Sequence, residues 1–187
     1  LGAYGATELK TPNLDNLANG GMRFTNGYAS SATCTPSRYA LLTGIYPWRN
    51  KRAKILPGTA PLIIDTSQTT IPKMLKKQGY HTAFIGKWHL GWNWNFINEE
   101  PSGERSYWRK SRKVYLTEDI DWTGPIAGGP LSRGFDYYFG DGTINFPPYA
   151  WIENDKFLEV PNDFFEFNQF EKEVKEANWD SRPGPKV

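Results

Sequence analysis

The sequence predicts an α/β fold, and three observations carry that prediction. Segments with helical caps and stops alternate with short runs rich in β-branched and aromatic residues. The run Tyr80–Ile85 follows directly on a helical segment that closes at Gly79, the order expected of helix and strand in layered α/β units. Lys87 and His89 come immediately after that strand, and open α/β sheets bind ligands outside the carboxyl ends of their strands.

Composition narrows the class. A chain of 187 residues can bury a sizeable core. Its 18 glycines and 14 prolines, with 16% aromatic residues, predict a loop-rich globule lined with rings. The net charge of +2 is too mild to draw nucleic acid, and basic residues alternate with acidic ones over most of the chain. One cysteine excludes an internal disulfide. No stretch approaches the ~18 apolar residues of a membrane span, and no signal peptide stands at Leu1.

The first residues, Leu1–Gly5, lack the strand that should lead into them, so the start reads as truncated. Thr11 caps a helix that takes Pro12 at its first position, sets Leu14, Leu17 and Ala18 on one face and stops at Gly20–Gly21. Met22–Ala29 reads as a short strand leading through Ser30–Thr33 to the next helix. That helix begins at Cys34-Thr35-Pro36-Ser37-Arg38 and ends at Gly44: Pro36 suits a first turn, and glycine suits a helix stop. Thr66–Gly79 holds a further helix, with Thr69 or Thr70 as cap, Pro72 in the first turn and Met74 and Leu75 inward. His81, inside the following strand, reads as a core or edge residue.

Cys34 therefore sits where unpaired amides and the positive end of the helix dipole favour a thiolate or a bound anion. Arg38, one turn along, adds a planar cation suited to oxyanions. A phosphatase-type phosphate loop is excluded, because only three residues separate Cys34 from Arg38 and Pro36 has no amide to donate. Beyond the strand, Lys87 and His89 at i, i+2 share one side if the chain stays extended.

The remaining segments read as follows. Trp88, Trp92, Trp94, Phe96 and Trp108 concentrate rings after Lys87. Such clusters are ordinarily packing, with stacking on a sugar as the functional alternative for Trp92 and Trp94. Glu99–Lys113 reads as a basic, solvated loop, with the gathering of a polyanionic glycan as the functional alternative, and Glu99-Glu100, Glu118-Asp119 and Asp121 read as solvated acidic neighbours. Gly134–Gly140 reads as a strand leading into the loop Asp141–Pro148. Tyr149–Val160 reads as a hairpin around Glu153-Asn154-Asp155, Phe164–Asn178 as an amphipathic helix and Arg182–Pro185 as loop.

Cys34-Thr35-Pro36-Ser37-Arg38 followed by Leu42-Thr43-Gly44 closely resembles the signature of type I sulfatases, and Gly86-Lys87-Trp88-His89-Leu90-Gly91 resembles their second motif, in family order. The Thr11–Asp15 helix start and Gly134-Phe135-Asp136-Tyr137-Tyr138-Phe139-Gly140 extend the likeness over roughly Leu1–Val160. The resemblance implies a mixed, largely parallel sheet flanked by helices, of alkaline phosphatase type and incomplete here. The chain is then a partial N-terminal catalytic domain, residues 1–187, truncated at both ends. It further implies that Cys34 is oxidised to formylglycine by a formylglycine-generating or radical maturase, and that the aldehyde carries the hydrolysis of sulfate esters. Arg38 would neutralise charge, Lys87 would hold sulfate oxygens and His89 would accept a proton, and on the loop Asp141–Pro148, which departs from the family's serine pattern, Thr143 and Asn145 would be the substitute polar contacts. The substrate implied is a sulfated saccharide, and the compartment periplasmic, secreted or lysosomal.

The family also binds a divalent cation, usually calcium, to which Cys34 as formylglycine contributes. Its paired acidic ligands have no match in this sequence, so the remaining ligands are expected outside the chain and the segment alone is expected to be inactive. Two alternatives stay open: a phosphate or phosphonate ester hydrolase of the same superfamily, and a non-catalytic glycan-binding descendant. Retention of Cys34, Arg38, Lys87 and His89 together argues against the second.

Overall fold

The computed structural model describes residues 1–107, 110–143 and 148–160. It divides into two compact units, Leu1–Ser30 and the residues from Ser31 onward. In the first, a single 3₁₀ turn, Gly2–Tyr4, ends at Gly5 in the left-handed region, and helix α1 spans Pro12–Gly20. Thr11 stands at the N-cap position but makes no side-chain bond to a helix amide. Its hydroxyl and the Asp15 carboxylate accept from the amides of Gly2 and Ala3, at 2.8 and 2.6 Å, and so tie the turn to the helix. No α1 side chain is buried within the unit. The strand expected over Met22–Ala29 is not formed, since an extended segment needs a partner ladder and none of the described residues of this unit supplies one.

The second unit carries helices α2 (Cys34–Thr43) and α3 (Ile71–Lys76) and strands β1 (Ala83–Ile85), β2 (Gly103–Tyr107), β3 (Lys110–Val114), β4 (Tyr137–Asp141), β5 (Trp151–Glu153) and β6 (Lys156–Phe157). One sheet has the order β1-β4-β5-β6. β1 and β4 are parallel, with Ile85 opposite Phe139, while β5 and β6 complete the sheet antiparallel through the expected hairpin, whose corner is Asn154 in the left-handed region. The sheet is therefore mixed, and its parallel part among the described residues is the β1–β4 pair.

Glu99–Lys113 departs from the expected loop: β2 and β3 form an antiparallel ladder with Arg105 opposite Arg112. Main-chain pairing, which leaves no apolar alternation in the sequence, holds it. α3 starts at its threonine cap, Thr70 Oγ1 accepting from the Lys73 amide. Its inward residue, however, is Pro72, and Met74 and Leu75 lie toward solvent. Phe164–Asn178 and Arg182–Pro185 lie outside the described residues.

The core lies behind β4. Alternation along that strand turns Tyr138 and Gly140 inward, where Tyr138 joins Ile63, Ile64, Trp88, Leu90, Trp92, Ile120 and Ile152. Gly140 is required by close approach: a Cβ there would lie 2.1 Å from the carbonyl oxygen of Gly86. Asp119 is buried rather than solvated. It accepts from Leu116 N and Ser102 Oγ, both at 2.8 Å, and from Ser102 N and Asn98 Nδ2. These bonds hold its carboxyl below the ordinary range against the opposing effect of burial, which is the largest single influence on it.

Candidate active site

α2 places the first two candidate residues. Thr33 is extended before the helix, Gly44 is left-handed after it, and Thr35, Pro36, Tyr39 and Leu42 form its buried face. Cys34 and Arg38, at i and i+4, are neighbours on the adjoining stripe, and both are half-buried. As the one cysteine of the sequence, Cys34 forms no disulfide within the chain.

The second pair sits on the segment leaving β1. Gly86 N donates to Phe139 O at 2.8 Å, Trp88 N to Asp141 O at 3.4 Å and His89 N to Gly142 O at 2.7 Å, so the segment stays laced to β4 beyond the end of the regular strand. Extended geometry does not persist to His89, however. His89 adopts φ 49°, a left-handed conformation that costs a non-glycine residue about 1–3 kcal/mol and persists only where the surroundings impose it. The alternation argument that set Lys87 and His89 on one side therefore does not apply. Lys87 is half-buried, while His89 is 1% exposed.

Hydrogen bonds join the two halves. Arg38 Nη1 donates to the Lys87 carbonyl, and Thr35 Oγ1 donates to the His89 carbonyl at 2.9 Å, a buried bond. The His89 ring lies 2.8 Å through Nε2 from the Leu56 carbonyl. A carbonyl only accepts, so Nε2 carries the proton and Nδ1 is the basic nitrogen. Burial lowers the imidazole pKa; the Leu56 bond opposes this, and the Lys87 and Arg38 cations add to the lowering. The outcome is a neutral base beside two cations.

Sequence reasoning missed three residues that touch this arrangement. Leu56 and Thr35 are visible only once the chain is folded. Asp141 follows from register: β1 and β4 run parallel with Ile85 opposite Phe139, so the next residues on that face, Lys87 and Asp141, are adjacent. Burial raises the Asp141 carboxyl, while the Thr143 amide, 2.9 Å from Oδ1, and the Lys87 charge oppose this.

The remaining candidates fall elsewhere. Trp92 and Trp94 are 2% and 8% exposed. Trp92 packs against Tyr138 and Trp88, and Trp94 stacks on Phe157 with its Nε1 donating to Gly58 O. Neither indole offers an open face to a sugar, which corrects the platform expectation in favour of packing. Trp108 and Asn145 lie outside the described residues. Thr143 is buried after the Asp141 turn, and His81 is exposed rather than packed.

A family model described as Sulfatase matches residues 1–174, and the chain belongs to the sulfatase family. Among individual relatives, it is 41% identical over 181 residues to the N-acetylgalactosamine-6-O-sulfatase of Bacteroides thetaiotaomicron, covering 96% of this chain and 30% of that protein. It is 47% identical over 150 residues to human steryl-sulfatase, covering 77% and 21%. A solved structure described under the metabolism of multiple glycosaminoglycans by Bacteroides thetaiotaomicron superposes with a TM-score of 0.66 at 41% identity, over 86% of this chain and 29% of that one. The chain thus spans less than a third of these relatives.

Proposed function

We propose that the protein containing this chain hydrolyses sulfate esters on a carbohydrate, and that residues 1–187 are the N-terminal part of its catalytic domain. The observation that carries this reading is the interlock of α2 with residues 86–89, which sets the helix of Cys34 and Arg38 against the segment of Lys87 and His89. The relative named for N-acetylgalactosamine 6-sulfate matches 96% of the chain, against 77% for the steryl enzyme, and this favours a sugar over a sterol.

Cys34, converted to the aldehyde by a maturase and hydrated by water, would supply one hydroxyl to attack sulfur as the alcohol leaves, and the second hydroxyl, giving its proton to His89, would expel sulfate and restore the aldehyde. Arg38, one helical turn away, neutralises anionic charge with the guanidinium donors that the Lys87 carbonyl does not occupy. Lys87 holds sulfate oxygens as a point charge. His89 takes a proton at Nδ1 and, its pKa being lowered, releases it readily. Fixed cations facing a charge-rich transition state are worth more in a half-buried site than in water.

Among the described residues no group of three or more His, Cys, Asp or Glu converges to hold a metal. A hard cation needs several oxygen ligands, so these residues do not by themselves fit calcium, and its further ligands belong to other parts of the protein. No helix among the described residues is long and apolar enough to cross a membrane. The family resemblance favours a periplasmic, secreted or lysosomal setting.

The test uses the full protein co-expressed with a maturase. The peptide containing Cys34 should show the mass change from –CH₂SH to –CHO, and the protein should release sulfate from N-acetylgalactosamine 6-sulfate faster than from a steryl sulfate. Full activity with an intact thiol would refute the nucleophile. Faster cleavage of phosphate or phosphonate esters would move the protein to the neighbouring hydrolase class, and saccharide binding without turnover would make it a binding module.

A further inference from the structure

We infer that Thr35 is a positioning residue for His89, tying the helix that bears Cys34 to the backbone of the proton acceptor. The inference rests on the hydrolase reading above. Three constraints meet at His89: its amide donates to Gly142 O, its carbonyl accepts from Thr35 Oγ1 and its ring nitrogen Nε2 donates to Leu56 O. Thr35 and His89 are both almost wholly excluded from solvent. The His89 backbone is left-handed, a state that side chains other than glycine hold only under imposed contacts.

Consider what removing the Thr35 hydroxyl does. The buried His89 carbonyl loses its donor, and an orphaned buried carbonyl is costly enough to drive local rearrangement. Relaxation toward an ordinary φ restores regular backbone but rotates the Cα–Cβ bond, and the ring then leaves Leu56. Without the Leu56 carbonyl the bond that fixes the proton on Nε2 is lost, and Nδ1 ceases to be the fixed acceptor. Thr35 thus acts through His89, selecting both where the ring sits and which nitrogen is basic. A threonine placed there only for helix propensity would give none of this, because its side chain would not reach a carbonyl 54 residues away.

The experiment compares Thr35→Val, which keeps shape and removes the hydroxyl, with Thr35→Ser, which keeps the hydroxyl, in the full matured protein. Turnover of N-acetylgalactosamine 6-sulfate is expressed per aldehyde, measured by mass, so that impaired maturation does not count. The expected result for Thr35→Val is a kcat lower by about tenfold or more with KM within about twofold, since small misplacements of a reacting group cost rate rather than affinity. Thr35→Ser should recover most of it. An unchanged kcat per aldehyde in Thr35→Val, or an equal loss in Thr35→Ser, overturns the inference.

A second readout needs no aldehyde. In the unmodified thiol form labelled with ¹⁵N-histidine, with His89 assigned by its loss in His89→Gln, the parent should carry its proton on Nε2 and Thr35→Val should show a mixture of tautomers. An unchanged tautomer overturns the inference even if Thr35→Val resists maturation. Matured parent protein that cleaves no sulfate ester would defeat the hydrolase reading instead, and the ring signals would still judge Thr35.

Discussion

At the scale of single residues, the electrostatic state of His89 makes a prediction about pH. Burial is the largest influence lowering its pKa from 6.5, and Lys87 and Arg38 act in the same direction. A base with a lowered pKa stays neutral, and so competent to accept a proton, down through pH 6.5. The acid limb of kcat/KM in the full protein, which reports the free enzyme's base, should therefore fall below pH 6.5; a limb above it contradicts the assignment. Arg38→Ala and Lys87→Ala should each lower kcat as well as kcat/KM, because both cations are assigned to charge that develops in the transition state. A change confined to KM would reassign them to ground-state binding. Trp92 now predicts stability rather than specificity. Trp92→Ala should destabilise by about 3–5 kcal/mol, as removal of a buried indole does. Trp92→Phe should cost far less, because Trp92 Nε1 has no hydrogen-bond partner among the described residues. Equal losses in the two variants, read by thermal unfolding, would contradict the packing account.

At the scale of elements, legibility followed the range of the cause. α2 could be read from Cys34 to Gly44 because its signals are local: a proline in the first turn and a glycine in the left-handed region after the last. The β5–β6 hairpin was legible for the same reason, from the polar corner at Asn154. Residues 22–29 look like a strand by composition, but a strand is a relation between two segments. Conversely, the ladder of β2 and β3 left no apolar alternation to read. Asp136 likewise gives no sign in the sequence of what it does. Its carboxylate pairs with Lys76 at the end of α3 and accepts from the Thr82 amide at 2.9 Å and the Thr82 hydroxyl at 3.2 Å, just before β1. The Lys76 hydrogen bond, then the Thr82 amide, hold its pKa at about 2. A depressed carboxyl stabilises fully above its ordinary value of 3.8 and loses that contribution as pH falls toward 2. Asp136→Asn should therefore lower the thermal midpoint at neutral pH, and the gap should close between pH 4 and 2. A gap independent of pH would show that the loss is not one of charge.

At the scale of the whole molecule, apolar side chains remain in contact with solvent in both units. Leu17, Met22, Phe24 and Tyr28 are exposed in the first, and Leu41 and Ile85 in the second. Where such side chains form a contiguous patch, they mark a face that binds something. The isolated 187-residue chain should accordingly bind a hydrophobic dye and show no sulfate release, while the longer protein does the reverse. Turnover by the isolated chain would mean that the described site is sufficient. The bonds that assemble the site also set an order in time. Thr35 waits for His89, 54 residues later, and Arg38 for Lys87, 49 residues later. At a synthesis rate of about 5–20 residues per second, α2 emerges roughly 3–10 s before the segment to which its Thr35 and Arg38 bond. Residues 34–38 can be read as an extended peptide only during that delay, or later at the expense of undocking the helix, so an enzyme that had to read them in that form would compete with the folding of the same chain.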